Sequence, residues 1–123
     1  MRNEGKRRAR QVEQGDGIAW LQRSELDATH AIVSSLPDRS GLPDADLASW
    51  RAWFVDAAEL ICRQLADEAV AIFYQTDVRV DGRWIDKGYL VARGAEAAGA
   101  HCLWHKLAFI QKVHDIAVFP ISF

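Results

Sequence analysis

Six consecutive apolar residues, Ala69-Val70-Ala71-Ile72-Phe73-Tyr74, follow closely on a helical stripe, and that succession restricts the fold more than any other feature of the chain. The stripe places Leu47, Trp50, Phe54, Ala57, Ala58, Ile61 and Leu65 on one side of a helix, with Asp44 or Asp46 as its cap. Trp50, Trp53 and Phe54 would suit a stacking platform, but their helical spacing assigns them to a core. The run from Ala69 does not alternate, so it predicts a strand covered on both faces. An earlier run, Ala31-Ile32-Val33, reads as a buried strand that ends in Ser34-Ser35-Leu36-Pro37-Asp38. Strand, helix and strand in that order predict a parallel pair joined by a crossover.

The flanking segments extend the alternation. Asp16 can cap a short helix running through Ile18, Trp20 and Leu21 toward Leu26. Val78 to Asp86 contains Asp81-Gly82, the strongest turn signal in the chain, and predicts a hairpin. Gly88 to Ala98 reads as a helix with Gly99 as its stop. His101-Cys102-Leu103-Trp104 opens a third buried run that reaches Ile110. Ile116 to Phe123 contains Pro120, which confines it to a sheet edge if it is a strand. The fold class expected is α/β, a mostly parallel sheet with flanking helices.

At 123 residues the chain has room for one compact domain. Five Trp, five Phe and two Tyr exclude wholesale disorder. Residues 1–12 are expected to be a basic flexible arm and 13–123 a single α/β domain. The first ten residues hold Arg2, Lys6, Arg7, Arg8 and Arg10 against Glu4, so the remaining 113 carry six more acids than bases. Such an arm is either a solvated terminus or a phosphate contact, and no aromatic residue interleaves with it. No apolar run approaches the ~18–20 residues of a membrane span, and the polar start does not read as a secretory signal. Cys62 and Cys102 lie far apart without metal or redox spacing, which predicts reduced, buried thiols in a cytoplasmic protein.

In an open parallel sheet, ligands bind beyond the carboxyl ends of the strands. The three strands expected as central end in Ser34, Ser35 and Asp38, in Tyr74, Gln75, Thr76 and Asp77, and in Trp104, His105 and Lys106. Asp86 and Lys87 sit just before the second long helix, near its N-terminus. Parallel strands would bring these groups to one rim as a polar pocket. Together they supply donors, acceptors and stacking faces for a planar heteroaromatic substrate. Polar residues at loop starts are also ordinary; His105 reads equally as a structural histidine or a base, and Lys87 and Lys106 as surface charges.

Several chemistries have no signature here. There is no G-x-x-x-x-G-K-[ST], no G-x-G-x-x-G and no G-x-S-x-G. His30, His101, His105 and His114 lack metal-ligand spacing. On a strand, His101 and His105 would share a face about 13 Å apart, too far for one ion.

Gly15-Asp16-Gly17-Ile18-Ala19-Trp20-Leu21, the Ala31–Asp38 segment, Trp50-Arg51-Ala52-Trp53-Phe54 and Ala71-Ile72-Phe73-Tyr74-Gln75-Thr76-Asp77-Val78 form a series of blocks. Trp84-Ile85-Asp86-Lys87-Gly88-Tyr89-Leu90-Val91 and Leu103-Trp104-His105-Lys106 complete it. Over residues 12 to 107 the series resembles S-adenosylmethionine-dependent methyltransferases of the class I, Rossmann-like type with permuted order. The resemblance implies a partial Rossmann-like fold and a nucleic-acid base as the substrate. It also makes Ser34-Ser35-Leu36-Pro37-Asp38 the counterpart of the Asp-Pro-Pro-Tyr type loop that holds a target amine. Ser35, Pro37 and Asp38 are then the catalytic candidates, with Tyr74, Gln75, Asp77, Asp86, Lys87, Trp104, His105 and Lys106 as substrate-binding candidates. The chain departs from that loop in having one proline and Asp38 in place of an aromatic residue. It also lacks a glycine-rich Asp-Pro-Phe-x-Gly-x-Gly segment, so S-adenosylmethionine would need a second chain that supplies the cofactor half. The alternative expectation is a non-catalytic assembly module that self-associates through an open sheet edge. A third is a small enzyme that degrades its ligand, with Tyr74, Asp77 or His105 as acid–base group.

Overall fold

Each of the three helices among the described residues starts at an aspartate whose carboxylate accepts from the backbone of the first turn. The structure is a computed structural model that describes residues 9–39, 46–107 and 121–122. Most of the basic arm, residues 108–110 of the third apolar run, and residues 116–120 and 123 of the last apolar stretch lie outside the described residues. Asp16 accepts from Ile18 N at 2.9 Å and starts α1, Gly17–Gln22, which stops short of Leu26. Strand β1, Ile32–Ser34, leads to α2, Leu47–Gln64, where Asp46 accepts from Ser49 N at 2.7 Å. That bond holds the Asp46 carboxyl below the usual carboxylate range. Next come β2, Ala71–Phe73, and the hairpin of β3, Val78–Val80, and β4, Arg83–Ile85. Asp81 (φ 51°) and Gly82 (φ 78°) form its turn, both at positive φ as a two-residue hairpin requires. Asp86 accepts from Tyr89 N at 3.0 Å and starts α3, Lys87–Ala97. Gly99, at φ 83°, closes that helix in a Schellman arrangement: its N–H donates to Glu96 O, and Ala100 N–H donates to Ala95 O. Strands β5, Lys106–Leu107, and β6, Ile121–Ser122, complete the order.

β1 and β2 pair in parallel, Ile32 opposite Ala71, Val33 opposite Ile72 and Ser34 opposite Phe73, so β1–α2–β2 is a βαβ unit. Its inner side packs Ile32, Ala71 and Phe73 against a core built on α2: Trp50, Phe54, Ala57, Ala58 and Ile61, with Leu21, Leu36, Ile85 and Leu90. Trp50 and Phe54 are fully buried and meet with ring centroids 5.2 Å apart. Helix α3 lies alongside α2 in the same direction, touching it at Gly94 and receiving Arg63 Nη2 on Ala97 O at 2.7 Å. Gln64 Nε2 donates to Leu21 O at 2.6 Å and ties α1 to the end of α2.

Three expectations are corrected. The β1–β2 pair is covered on one face only among the described residues: Val33 is 72% exposed, and Ile72 and Tyr74 are exposed beside it. An unbroken apolar run is compatible with two-sided burial but cannot supply the second layer. The third parallel strand is absent among the described residues. The chain turns at Gly99 and runs back along α3, with Leu103, Trp104 and Leu107 exposed, and only Lys106–Leu107 is extended, antiparallel to Ile121–Ser122. Apolar content had suggested a strand there, but a strand needs a neighbouring ladder. His101 and His105 accordingly do not share a strand face. Cys102 is exposed rather than buried, while Cys62 is partly buried; both are free thiols. The architecture is thus mixed α/β, with three two-stranded sheets among the described residues, one of them parallel.

Candidate functional site

The loop that leaves β1 is held from three directions. Gln75, immediately beyond the end of β2, donates from Nε2 to Leu36 O at 3.2 Å and accepts Leu36 N–H on Oε1 at 2.6 Å. Its side chain thereby adds one rung beyond the parallel ladder, which ends with Tyr74 N donating to Ser34 O. From below, the buried Trp50 donates its indole N–H to Pro37 O at 3.1 Å. From the side, Lys87 forms an ion pair with Asp38. Leu36 is buried between these ties, so the loop has an apolar anchor and a polar rim.

Lys87 is the first residue of α3 rather than part of the loop before it, and it is the one buried charged side chain among the described residues, 2% exposed. Burial pushes its ammonium below the usual lysine range, since desolvation disfavours the charged form. Asp38 faces it with a side chain 43% exposed, so one carboxylate oxygen meets Lys87 and the group still reaches solvent. Asp77 holds the lysine in place through the backbone: Oδ1 accepts Lys87 N–H at 2.9 Å and Oδ2 accepts the Trp84 indole N–H at 3.1 Å. The hairpin, the helix start and the β2 loop are thereby locked to one another.

Ser35, Leu36, Pro37, Asp38, Gln75, Thr76 and Lys87 line an open depression of about 230 Å³. Of the residues expected at the rim, Ser35, Asp38, Gln75, Thr76 and Lys87 are therefore brought together with the catalytic candidate Pro37, and Asp77 stands directly behind them. Asp86 is spent on capping α3. Tyr74 is exposed on the outward side of β2 and does not line the depression. Trp104, His105 and Lys106 arrive on the chain returning along α3 instead of at a strand end. The His105 ring lies against Gly88, about 3.0 Å from where a Cβ would stand. Trp104 and Lys106 form a cation–π pair, 5.5 Å from ammonium to ring centroid, outside the depression. Sequence reasoning missed Trp84, whose tie to Asp77 spans seven positions across a hairpin; the Asp81-Gly82 turn carried the only signal that these two would meet.

The described residues do not fit the whole of S-adenosylmethionine. The depression is smaller than the ~300 Å³ at the low end of small-molecule cavities, and its carboxylate is already paired with a lysine. Compared with known proteins, the chain matches no protein-family model, no curated protein and no solved structure.

Proposed function

We propose that this chain is the acceptor-binding half of a methyltransferase-like enzyme with a partial Rossmann-like fold, acting on the amine of a nucleic-acid base. The observation that carries the reading is the pinned loop at the carboxyl end of β1. Gln75, Trp50 and Lys87 hold Ser35–Asp38 from three elements, while the Asp38 carboxylate stays half exposed over the depression. Pro37 O is occupied by Trp50, so the acceptor for an incoming amine is the second oxygen of Asp38 instead of a loop carbonyl. Lys87 keeps that carboxylate aimed. Fixing an amine in one orientation supplies the proximity on which methyl transfer depends. S-adenosylmethionine, which would provide the methyl group, is assigned to a second chain that carries the glycine-rich half.

Thermal-shift titration with S-adenosylmethionine tests this division. The chain alone is expected to give no shift, and a mixture with a copurifying chain is expected to gain about 2.7 kcal/mol at 100 times the dissociation constant. A shift with the chain alone overturns the division, and no shift in any mixture rejects the methyltransferase reading.

A second reading, an assembly module without catalysis, is favoured by the outward face of β1–β2, where Val33 and Ile72 stand side by side in exposed register. It predicts a mass by light scattering that rises with concentration and falls back for Val33→Lys. A stable monomer at ~100 μM counts against it, since an association this weak would leave the face unused.

A further inference from the structure

Three aromatic rings surround the start of α3, each more than half exposed, and each has a cation beside it. Trp84 stands directly opposite Arg79 in the antiparallel register of β3 and β4, and cross-strand partners share a face. Tyr89 lies under Arg93, with 5.9 Å from guanidinium carbon to ring centroid. Trp104 carries Lys106 at 5.5 Å. The three pairs come from the hairpin, the helix and the returning chain, yet they are linked. Trp84 and the Lys87 backbone share Asp77, Asp86 caps at Tyr89, and His105, next to Trp104, rests on Gly88.

Exposed indoles do little for a solitary globular domain, because leaving a large ring in water forfeits the gain from burying it. Here Trp84 is also fixed, by its indole N–H on Asp77. The nearby acids are largely committed. Asp77 and Asp86 accept backbone and indole N–H groups, which leaves Asp81 at the hairpin tip and the half-exposed Asp38, itself paired with Lys87, as the other acids nearby. None of Arg79, Arg93 and Lys106 is in an ion pair among the described residues. Aromatic faces alternating with cations match bases alternating with phosphates: the rings stack and the cations release counterions.

We infer that the aromatic–cation rim around the start of α3, formed by Trp84–Arg79, Tyr89–Arg93 and Trp104–Lys106, binds single-stranded nucleic acid across the mouth of the Asp38–Lys87 depression. The surface extends the proposed function by supplying the polymer that carries the base, and it rests on that reading only for the purpose of binding. Its measurement requires no cofactor and no turnover, so either can fail while the other stands.

The test is fluorescence anisotropy of fluorescein-labelled 12-nucleotide single strands, DNA and RNA separately, and the corresponding duplex, titrated with the full chain at 50–200 mM salt. Single strands are expected to bind more tightly than duplex, with affinity falling as roughly the second power of salt concentration, as about three phosphate contacts imply. Trp84→Ala and Trp104→Ala should each weaken binding by about tenfold. Arg79→Glu should weaken binding and flatten the salt dependence, and it serves as the second variant should either tryptophan change reduce the cooperative thermal melt. Preference for DNA or RNA names the natural strand. No binding at 50 mM salt overturns the inference. So does binding that ignores these substitutions but is lost when Lys6, Arg7, Arg8 and Arg10 are replaced by alanine, because the arm then carries the affinity. Concentration-dependent self-association abolished by the same tryptophan changes also overturns it, since the rim would then be an interface between copies.

Discussion

Replacing Gly94 with alanine is expected to lower the melting temperature by about 10 °C, a loss of about 2 kcal/mol for a domain of this size. A Cβ at this position would overlap the Val55 carbonyl oxygen and stand 2.8 Å from both Ala58 Cβ and Glu59 N. Two of those three contacts are backbone of α2, which has no rotamer to yield, so the helices must separate along their whole contact. Alanine brings an opposing gain of about 1 kcal/mol in helix propensity over glycine, which the overlap exceeds. Gly94→Val adds a branched side chain at the same point and is expected to abolish the cooperative melt. Two other glycines calibrate the effect. Gly17→Ala meets nothing within 4 Å and should leave stability unchanged or slightly raised, while Gly88→Ala meets mainly the movable His105 and Asp86 side chains and should cost less than Gly94→Ala. Circular-dichroism melts of the four variants check the order; equal melting points for Gly17→Ala and Gly94→Ala would show that α2 and α3 are not packed backbone to backbone.

The Asp38–Lys87 pair should give an asymmetric result. Asp38→Ala leaves a lysine that is 2% exposed without its counter-charge and is expected to cost about 2 kcal/mol, below the cost of breaking a fully buried pair because Asp38 itself reaches solvent. Lys87→Met removes the desolvated charge, keeps most of the side-chain volume and returns Asp38 to water, so its cost should stay within about 1 kcal/mol. The pH dependence carries the sign. Burial sets the folded-state pKa of Lys87 below its unfolded value near 10.5, so above that lowered value the unfolded chain binds more protons and stability from this group rises with pH. The penalty is fully present below the folded pKa and is relieved as pH climbs through it toward 10.5. A neutral amine has less need of Asp38, so the gap between wild type and Asp38→Ala should narrow over that window. Lys87→Met should show no such rise. Urea titrations from pH 7 to 10.5 measure it, and a gap that widens with pH would mean that Lys87 is not the group responding.

Local chemistry made much of the fold legible. Asp16, and Asp46 of the two candidates Asp44 and Asp46, start helices because a short carboxylate satisfies N–H groups that no helix can pair internally, and Asp81-Gly82 forms the hairpin because that turn needs positive φ. The loop from Ser35 to Asp38 and its neighbours Gln75 and Lys87 were equally readable, since parallel strands deliver their carboxyl ends to one side. Trp104, His105 and Lys106 reach the same end of α3 by a route that hydrophobicity misassigned, because an apolar run says how much it prefers burial and nothing about which ladder it joins. Gly94 read as an ordinary helix residue, and only the approach of α2 gives it a role.

From its residue order alone, this chain determined that three segments are helical, that the first two strands pair in parallel around a crossover helix, and which short loop is polar over an apolar anchor. All of these are settled by bonds and spacings within a few residues or by the period of one element. Tertiary structure alone decided that Lys87 is the buried charge, that Gln75 adds a rung beside Leu36, that one face of β1–β2 is exposed, and that His105 returns to the start of α3. Those outcomes depend on how elements far apart in sequence pack, and packing is a property of shapes meeting in space rather than of the order in which residues follow one another.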